Sequence, residues 1–146
     1  MKKELRLVLP KGRLLPEILD LMRDAGLPLS GGERDYRPQS PDPELVLKVM
    51  KPQNIPLLLA QGSHDLGFTG LDWVLENGVR LEEVWDTGFN PVRIVVASPA
   101  GASFPPSGEP VVATEYPNLT RSHFARRGWP CRILKTYGAT EVFPPD

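Results

Sequence analysis

The chain has 146 residues, of which 40% are hydrophobic and 24% are charged, and its formal net charge is −1. This composition is typical of a globular protein that forms one domain or two small lobes, and it excludes wholesale disorder. A nearly neutral chain also excludes broad attraction to nucleic acid or membranes, so positive charge can act only in local pockets.

The first predicted strand, residues 5–9, leads into a helix through a positively charged turn. Charged and apolar residues alternate only at its start and then give a continuous apolar run, which is typical of a buried strand. Apolar residues recur at helical spacing over residues 14–25. The turn between them holds Lys11 and Arg13 around Gly12, a residue that lets backbone approach a ligand closely. The turn fits an anion site, and it equally fits an ordinary solvated turn.

Strand-like and helix-like segments alternate through the middle of the chain. Strands are predicted over residues 45–49, 65–70, 81–85 and 93–98, and the second of these is expected to be buried. Helices are predicted over residues 53–61, behind Pro52, and over residues 71–76, which end at Asn77 and Gly78. A Gly- and Pro-rich segment, residues 99–110, is either a lobe boundary or a mobile hairpin loop.

A second strand-to-helix turn lies near the end of the chain. The strand is predicted over residues 110–114 and the helix over residues 119–127, with Asn118 as its N-cap. The unpaired N–H groups and partial positive charge of a helix start favour a phosphate or carboxylate there. Further hydrogen-bond donors come from Thr114, Tyr116, Thr120 and Arg121. An ordinary βα turn with its usual polar residues explains the same pattern, and a last strand is predicted over residues 132–136.

The alternation of strands and helices predicts an α/β fold whose parallel or mixed sheet carries helices on both faces. In open α/β sheets, ligands bind beyond the carboxyl ends of the strands. Three polar turns occupy such ends, at residues 11–13, 69–72 and 114–121. We expect these turns to converge on one shared cleft that binds polyphosphate.

The residue types exclude several classes of chemistry. His64 and His123 have no Cys or second His at metal-ligand spacing, and no nucleophile elbow, P-loop or dinucleotide-binding glycine motif occurs. Cations and loop carboxylates remain, a combination that suits phosphate-ester chemistry through positioning and electrostatics. These residues are Lys11, Arg13, Arg34, Arg121, Asp72, Glu115 and Glu141. Each carboxylate also fits a solvated charge, and Tyr116 and Tyr137 fit either base stacking or the rim of the core.

Cysteine usage and the first residues indicate the compartment. Cys131 is the only cysteine, which excludes an intrachain disulfide. No long apolar region follows the two lysines at the start, so no signal peptide is predicted. No apolar run reaches the roughly 20 residues that a membrane-spanning helix needs. We therefore expect a cytoplasmic protein.

Four motifs carry a family resemblance, in the order 9–14, 65–73, 113–121 and 137–142. Together they closely resemble the catalytic subunit of the ATP phosphoribosyltransferases, which open histidine biosynthesis. The resemblance implies a two-lobed fold like that of periplasmic binding proteins, with mixed sheets, a first lobe over residues 1–90 and an incomplete second lobe over residues 91–146. It also implies transfer of phosphoribosyl from 5-phosphoribosyl 1-pyrophosphate to N1 of ATP, with Mg²⁺ held mainly by the substrate phosphates.

The resemblance also implies roles for individual residues. Arg13 would contact the leaving pyrophosphate with Lys11 beside it, and Arg34 would reach the same group, so that both arginines stabilise the developing charge. The candidate substrate-binding residues are Gly12, Gly70, Asp72, Glu115, Tyr116, Thr120, Arg121 and Glu141. Among them, the resemblance itself implies that Asp72, Glu115 and Tyr116 line the nucleotide cleft and that Glu141 lies near it.

The sequence departs from the family pattern after the last motif. In the family that motif leads into a helix, a strand and a Gly/Thr-rich loop that cradles the 5-phosphate of the ribose, whereas this sequence ends at Phe143–Asp146. The chain therefore fits a fragment, a truncated enzyme or a paralogue that has lost catalysis. Such a paralogue would bind nucleotide or phosphate, or it would assemble with a full-length enzyme. A solute-binding protein of the transport type is a third interpretation that rests on fold alone.

The family resemblance also implies partners. Short forms of the family usually assemble with a regulatory subunit that resembles histidyl-tRNA synthetase, so such a partner is implied. Uncovered sheet edges and apolar helix faces further predict a homo-oligomer.

Overall fold

A computed structural model describes residues 3–31 and 37–138. The chain divides into two compact units, Met1–Val92 and Arg93–Asp146. The first unit contains β1 (Leu5–Pro10), α1 (Leu14–Asp24), β2 (Leu45–Met50), a 3₁₀ turn (Pro52–Asn54), α2 (Ile55–Ala60), β3 (Leu66–Gly67) and α3 (Leu71–Asn77). The second contains β4 (Val111–Thr114), α4 (Pro117–Arg127) and β5 (Arg132–Lys135). The predicted α/β class is confirmed.

The first unit is built around a parallel sheet in which β1 lies between β2 and β3. The apolar run of β1 is buried on both faces because side chains alternate along a strand. Leu7 and Leu9 pack with α1 in the main core cluster, whereas Val8 faces the opposite side with Ile55 of α2. Helices therefore cover both faces of this sheet, as the sequence predicts.

Helix α1 contributes one apolar stripe to that core. Leu15, Ile18 and Met22 are its buried residues, and their spacing places them on one side of the helix. They pack against Leu47 and Val49 of β2 as well as against β1. Asp20 and Arg23 are exposed, as expected for the polar side of an amphipathic helix.

The second unit pairs β4 with β5 in a parallel ladder that runs from Val111↔Arg132 to Thr114↔Lys135. Phe124 of α4 is buried and meets Phe104 and Trp129 edge to face, with ring centroids 6.3 Å and 5.7 Å apart. Such aromatic pairs add to the free energy of simple burial. No helix in residues 3–31 and 37–138 has the length and apolar character to cross a membrane.

Two predicted strands do not form. Residues 81–85 and 93–98 pair with no other strand among the described residues. The side chains of Val84 and Val95 are 74% and 63% exposed. Apolar and β-branched residues favour a strand, but a strand also requires a neighbouring backbone to pair with. Here the described chain supplies no such neighbour, so both segments are irregular.

Two further predictions need correction. The strand expected over residues 65–70 shrinks to Leu66–Gly67, and Leu66 is 38% exposed because β3 lies at the sheet edge. The helix expected over residues 53–61 is split into a 3₁₀ turn and α2. Pro56 has no N–H to donate to the carbonyl of Pro52, and the hydroxyl of Thr69 donates to that carbonyl at 2.8 Å.

The edge strand β3 is fastened to β1 by an ion pair. The carboxylate of Asp65 accepts hydrogen bonds from Nε and Nη2 of Arg6 at 3.2 Å and 3.0 Å and from the backbone N–H of Arg6 at 2.9 Å. These side-chain and backbone hydrogen bonds lower the pKa of Asp65 to about 2, from an ordinary value of 3.8. Because β3 has only 2 residues, the ion pair helps to fix its register against β1.

We expect Asp65→Asn to lower stability in a pH-dependent way. Because the pKa of Asp65 is depressed in the folded state, its contribution is fully present above the ordinary pKa of 3.8 and is lost as pH falls towards about 2. The difference in unfolding free energy between wild type and variant should therefore shrink across that window, as measured by urea titration at several pH values. Asp20→Asn removes the same charge from an exposed pair within α1 and serves as the control. A constant difference across the window would contradict the prediction.

Close packing explains the glycine in β3. A Cβ atom at Gly67 would lie 2.7 Å from Cγ1 of Val8 and 3.0 Å from Cγ2 of Ile55, and Val8 is completely buried. Real Cβ atoms do not approach side chains so closely, so one of these groups would have to move. The absence of a side chain at residue 67 thus lets α2 pack against β1 and β3.

We expect Gly67→Ala to destabilise the chain by roughly 1–3 kcal/mol, the usual cost of overpacking a core. Denaturant unfolding measures this cost. Val8→Ala removes the closest obstructing atom, so the double variant should be more stable than the sum of the two single effects predicts. Strict additivity of the two substitutions would argue against a clash at this position.

Candidate functional site

Two of the predicted polar turns leave the first sheet at the same edge. Strands β1 and β3 are parallel neighbours with Val8 opposite Gly67, so their carboxyl ends point the same way. Residues 11–13 follow β1, and residues 69–72 follow β3. That the 114–121 turn joins them in one cleft stays a prediction.

The turn after β1 is exposed and conformationally specialised. Gly12 has φ +108°, a value that side chains rarely adopt, and a Cβ there would meet nothing within 4 Å. The N–H of Lys11 donates to the carbonyl of Met50 at 2.7 Å, and the N–H of Leu15 donates to Gly12 at 3.1 Å. The turn is therefore tied to β2 and to α1 while Lys11 and Arg13 remain exposed at the edge.

Arg13 occupies the N-cap position of α1 with helical backbone angles, and its side chain makes no capping hydrogen bond. Its carbonyl accepts a hydrogen bond from Nδ2 of Asn90 at 3.3 Å. Asn90 was not singled out from the sequence. Asn90 has φ +41°. The one available signal was its residue type, because Asn adopts a positive φ more readily than most other residues apart from glycine.

A third cation lies at this edge. Lys51 directly follows Met50, which pairs with Pro10 at the carboxyl end of β2, so Lys51 leaves the sheet beside Lys11. Sequence reasoning passed over Lys51, although its position after a predicted strand was a usable signal. The edge of the first unit thus presents positive charge from two neighbouring strands.

The start of α3 has less capacity for an added anion. Gly70 is its N-cap residue, and Asp72 lies in its first turn. Oδ1 of Asp72 lies over Gly70, where a Cβ would collide with it. A carboxylate in this place already complements the partial positive charge of the helix start. Gly70 is needed for this approach, and Asp72 contributes negative charge to the edge.

In the second unit, the predicted donors of the 114–121 turn largely bond to one another. Oγ1 of Thr114 accepts a hydrogen bond from the N–H of Tyr116 at 2.9 Å and lies 3.1 Å from Oγ1 of Thr120. The hydroxyl of Thr120 also lies 2.7 Å from the carbonyl of Tyr116, to which it donates. This network fixes the turn, and it commits hydroxyl groups that the sequence suggested for a ligand.

The predicted cap of α4 is wrong. Tyr116 holds the N-cap position and Pro117 is the first helical residue, which places Asn118 inside the first turn. The fixed φ of proline suits that first position, so the helix starts earlier than predicted. Asn118 instead accepts a hydrogen bond from Nη1 of Arg121 at 3.1 Å.

Glu115 and Tyr116 are half-buried at the carboxyl end of β4. Tyr137 follows β5, the parallel neighbour, and therefore lies at the same edge of the second sheet. It is 85% exposed, and Nζ of Lys135 lies 5.2 Å from its ring centroid. The predicted residues Arg34 and Glu141 lie outside the described residues.

The chain is similar to known proteins over most of its length. The model of the HisG family, described as ATP phosphoribosyltransferase, matches residues 51–146. This chain belongs to the HisG family. The predicted resemblance is confirmed.

Relatives and solved structures agree with this membership. The ATP phosphoribosyltransferase of Methanosarcina mazei is 33% identical over 96% of this chain and 50% of its own length. That of Sorangium cellulosum is 35% identical over 99% of this chain and 69% of its own. A structure described as the ATP phosphoribosyl transferase (HisG:HisZ) complex from Thermotoga maritima is similar, with a TM-score of 0.76 and 28% identity over 94% of this chain and 67% of that chain. The chain thus spans about half to two thirds of these HisG-family proteins.

We expect Thr120→Val to destabilise the second unit by about 1 kcal/mol, because it removes the hydroxyl at the centre of the turn network. Thermal or denaturant unfolding measures the change. Ser122→Ala removes an exposed hydroxyl from the same helix and should change stability by less than about 0.5 kcal/mol. Equal effects of both substitutions would mean that the network does not stabilise the turn.

Proposed function

We propose that this HisG-family chain carries out, or forms part of a protein that carries out, the transfer of phosphoribosyl from 5-phosphoribosyl 1-pyrophosphate to N1 of ATP. The chain spans about half the length of the M. mazei relative, so the activity is proposed for the protein to which it belongs. The observation that carries the proposal is the family match together with the exposed Lys11–Gly12–Arg13 turn at the carboxyl edge of a parallel sheet. This edge is where α/β folds bind their ligands.

Positive charge at the leaving group would supply most of the catalysis. As the anomeric bond breaks, negative charge accumulates on pyrophosphate and the ribose acquires oxocarbenium character. Arg13 would bind the pyrophosphate oxygens in a forked geometry, Lys11 would add a point charge, and Arg34 would act as a second arginine. Each interaction strengthens as the bond breaks, which is the condition for lowering the barrier.

The nucleotide would be bound by the polar turns. In this proposal Gly12 and Gly70 allow close backbone approach, Asp72 meets ribose hydroxyls, and Glu115 and Tyr116 contact the base or its ribose. Thr120 and Arg121 complete the turn after β4, and Glu141 belongs to the same set. The half-buried positions of Glu115 and Tyr116 support a role in contacts rather than in solvation.

The described residues are compatible with Mg²⁺ that arrives with the substrate. Residues 3–31 and 37–138 contain no cluster of three or more His, Cys, Asp or Glu side chains that could hold a metal. Mg²⁺ commonly uses substrate phosphates, water and at most one or two protein carboxylates, and Asp72 could provide one. When bound, the ion would neutralise part of the pyrophosphate charge.

Assembly is also proposed. The similar Thermotoga maritima structure is described as a HisG:HisZ complex, and we infer a comparable regulatory subunit, resembling histidyl-tRNA synthetase, for this chain. Exposed apolar side chains such as Val84, Val92 and Val95 support association with a partner or in a homo-oligomer.

We expect Arg13→Ala to weaken pyrophosphate binding about tenfold or more, since charge-assisted hydrogen bonds contribute roughly 1.5–3 kcal/mol. Its effect on ATP affinity should be smaller, and any turnover should slow. Calorimetric titration with pyrophosphate and with ATP measures both affinities.

Arg23→Ala is the matched control, because it removes an exposed arginine from the other end of α1. Equal pyrophosphate affinity in both variants would refute the role of Arg13. Binding of ATP with neither pyrophosphate binding nor turnover would favour the alternative, a non-catalytic nucleotide-binding paralogue or assembly partner.

A further inference from the structure

The loop before residue 92 reaches the positively charged turn through one side chain. Nδ2 of Asn90 donates to the backbone carbonyl of Arg13 at 3.3 Å, across 77 positions of sequence. Both residues belong to the first unit. Asn90 therefore contacts the peptide group that joins Arg13 to the first residue of α1.

Asn90 has a backbone conformation that few residues tolerate. Its φ of +41° is the only positive φ of a non-glycine residue in the part of the chain that the structure describes. Left-handed backbone is costly for side chains other than Asn and Asp, and such outliers concentrate where a function requires them. The neighbouring residues hold this conformation in place.

Three interactions anchor the loop. The N–H of Gly88 donates to Oδ1 of Asp86 at 3.0 Å, and the N–H of Phe89 donates to Oγ1 of Thr87 at 3.2 Å. The ring of Phe89 packs against the core cluster of β1, α1 and β2. The loop is thus fixed to the same core that supports the turn, and the amide of Asn90 is presented at a defined point.

The bond to Arg13 has a specific mechanical effect. A carbonyl that precedes a helix normally accepts the first helical hydrogen bond, and its second lone pair remains available. A donor on that lone pair fixes the rotation of the peptide plane. The angle ψ of Arg13, −35°, relates this plane to the Cα–Cβ bond, so holding the plane restricts the direction in which the side chain leaves the backbone.

We propose that Asn90 is a positioning residue for Arg13, which holds the turn so that the guanidinium meets pyrophosphate without reorganisation. Pre-ordering a binding group raises affinity because less conformational freedom is lost on binding. The inference rests on the proposed function, in which Arg13 binds the leaving group, and it adds a residue that touches no substrate.

Asn90→Gly tests the amide separately from the backbone. Glycine adopts a positive φ readily, so this variant keeps the loop conformation and removes only the donor. We expect pyrophosphate affinity to fall about three- to tenfold, as the loss of one hydrogen bond predicts. The ¹³C resonance of the Arg13 carbonyl should shift in the unligated variant, while the melting temperature stays close to that of wild type.

Gly88→Ala is the matched control. It strains the same loop, because Gly88 has φ +71°, but retains the Asn90 amide. We expect this variant to lose stability while pyrophosphate affinity and the Arg13 carbonyl resonance change little. A purely structural loop would instead show the same pattern in both variants.

The outcomes separate the two proposals. If wild type binds pyrophosphate, Arg13→Ala does not, and Asn90→Gly binds like wild type, the positioning role is refuted and the proposed function stands. An unchanged Arg13 carbonyl resonance in Asn90→Gly also refutes it. If wild type binds no pyrophosphate, the proposed function fails and the positioning role falls with it.

Discussion

The parallel pairing of β1 between two neighbours is the constraint on which the rest of the first unit depends. Burial of Leu7, Val8 and Leu9 on alternate faces gives each helix a surface to pack against. The same pairing sends three strand ends to one edge, so a hydrophobic requirement determines where the polar turns emerge. At that edge the cations of residues 11, 13 and 51 follow strands that are fixed by apolar packing.

The polar turns differ in exposure and in the contacts that hold them. After β4, the hydroxyls of Thr114 and Thr120 hydrogen-bond within the turn, and at α3 the carboxylate of Asp72 lies against the helix start. After β1, the side chains of Lys11 and Arg13 are exposed. We therefore propose that pyrophosphate is recognised at the β1 turn, which presents exposed cations, and that the other turns act mainly by shape and by holding their own backbone.

Elements whose own residues carry a clear burial pattern could be predicted from the sequence, and elements that depend on distant backbone could not. The apolar run of β1 and the apolar stripe of α1 each carry their own signal, and both form near the predicted residues. Segments 81–85 and 93–98 have the side chains of strands but no pairing partner in the described chain. The position of the Lys11–Arg13 turn was predictable because it follows a strand, whereas Asn90 was not, since its importance arises from a contact made across 77 positions.

The exposed valines at positions 84, 92 and 95 have a consequence for how the chain behaves in a cell. Residues 81–85 and 93–98 pair with no strand in the described residues, and exposed apolar side chains favour association with another segment of protein. A partner subunit that covers these side chains would protect the chain, whereas contact with another unassembled copy would lead to aggregation. Timely assembly would then act as quality control for the newly made chain.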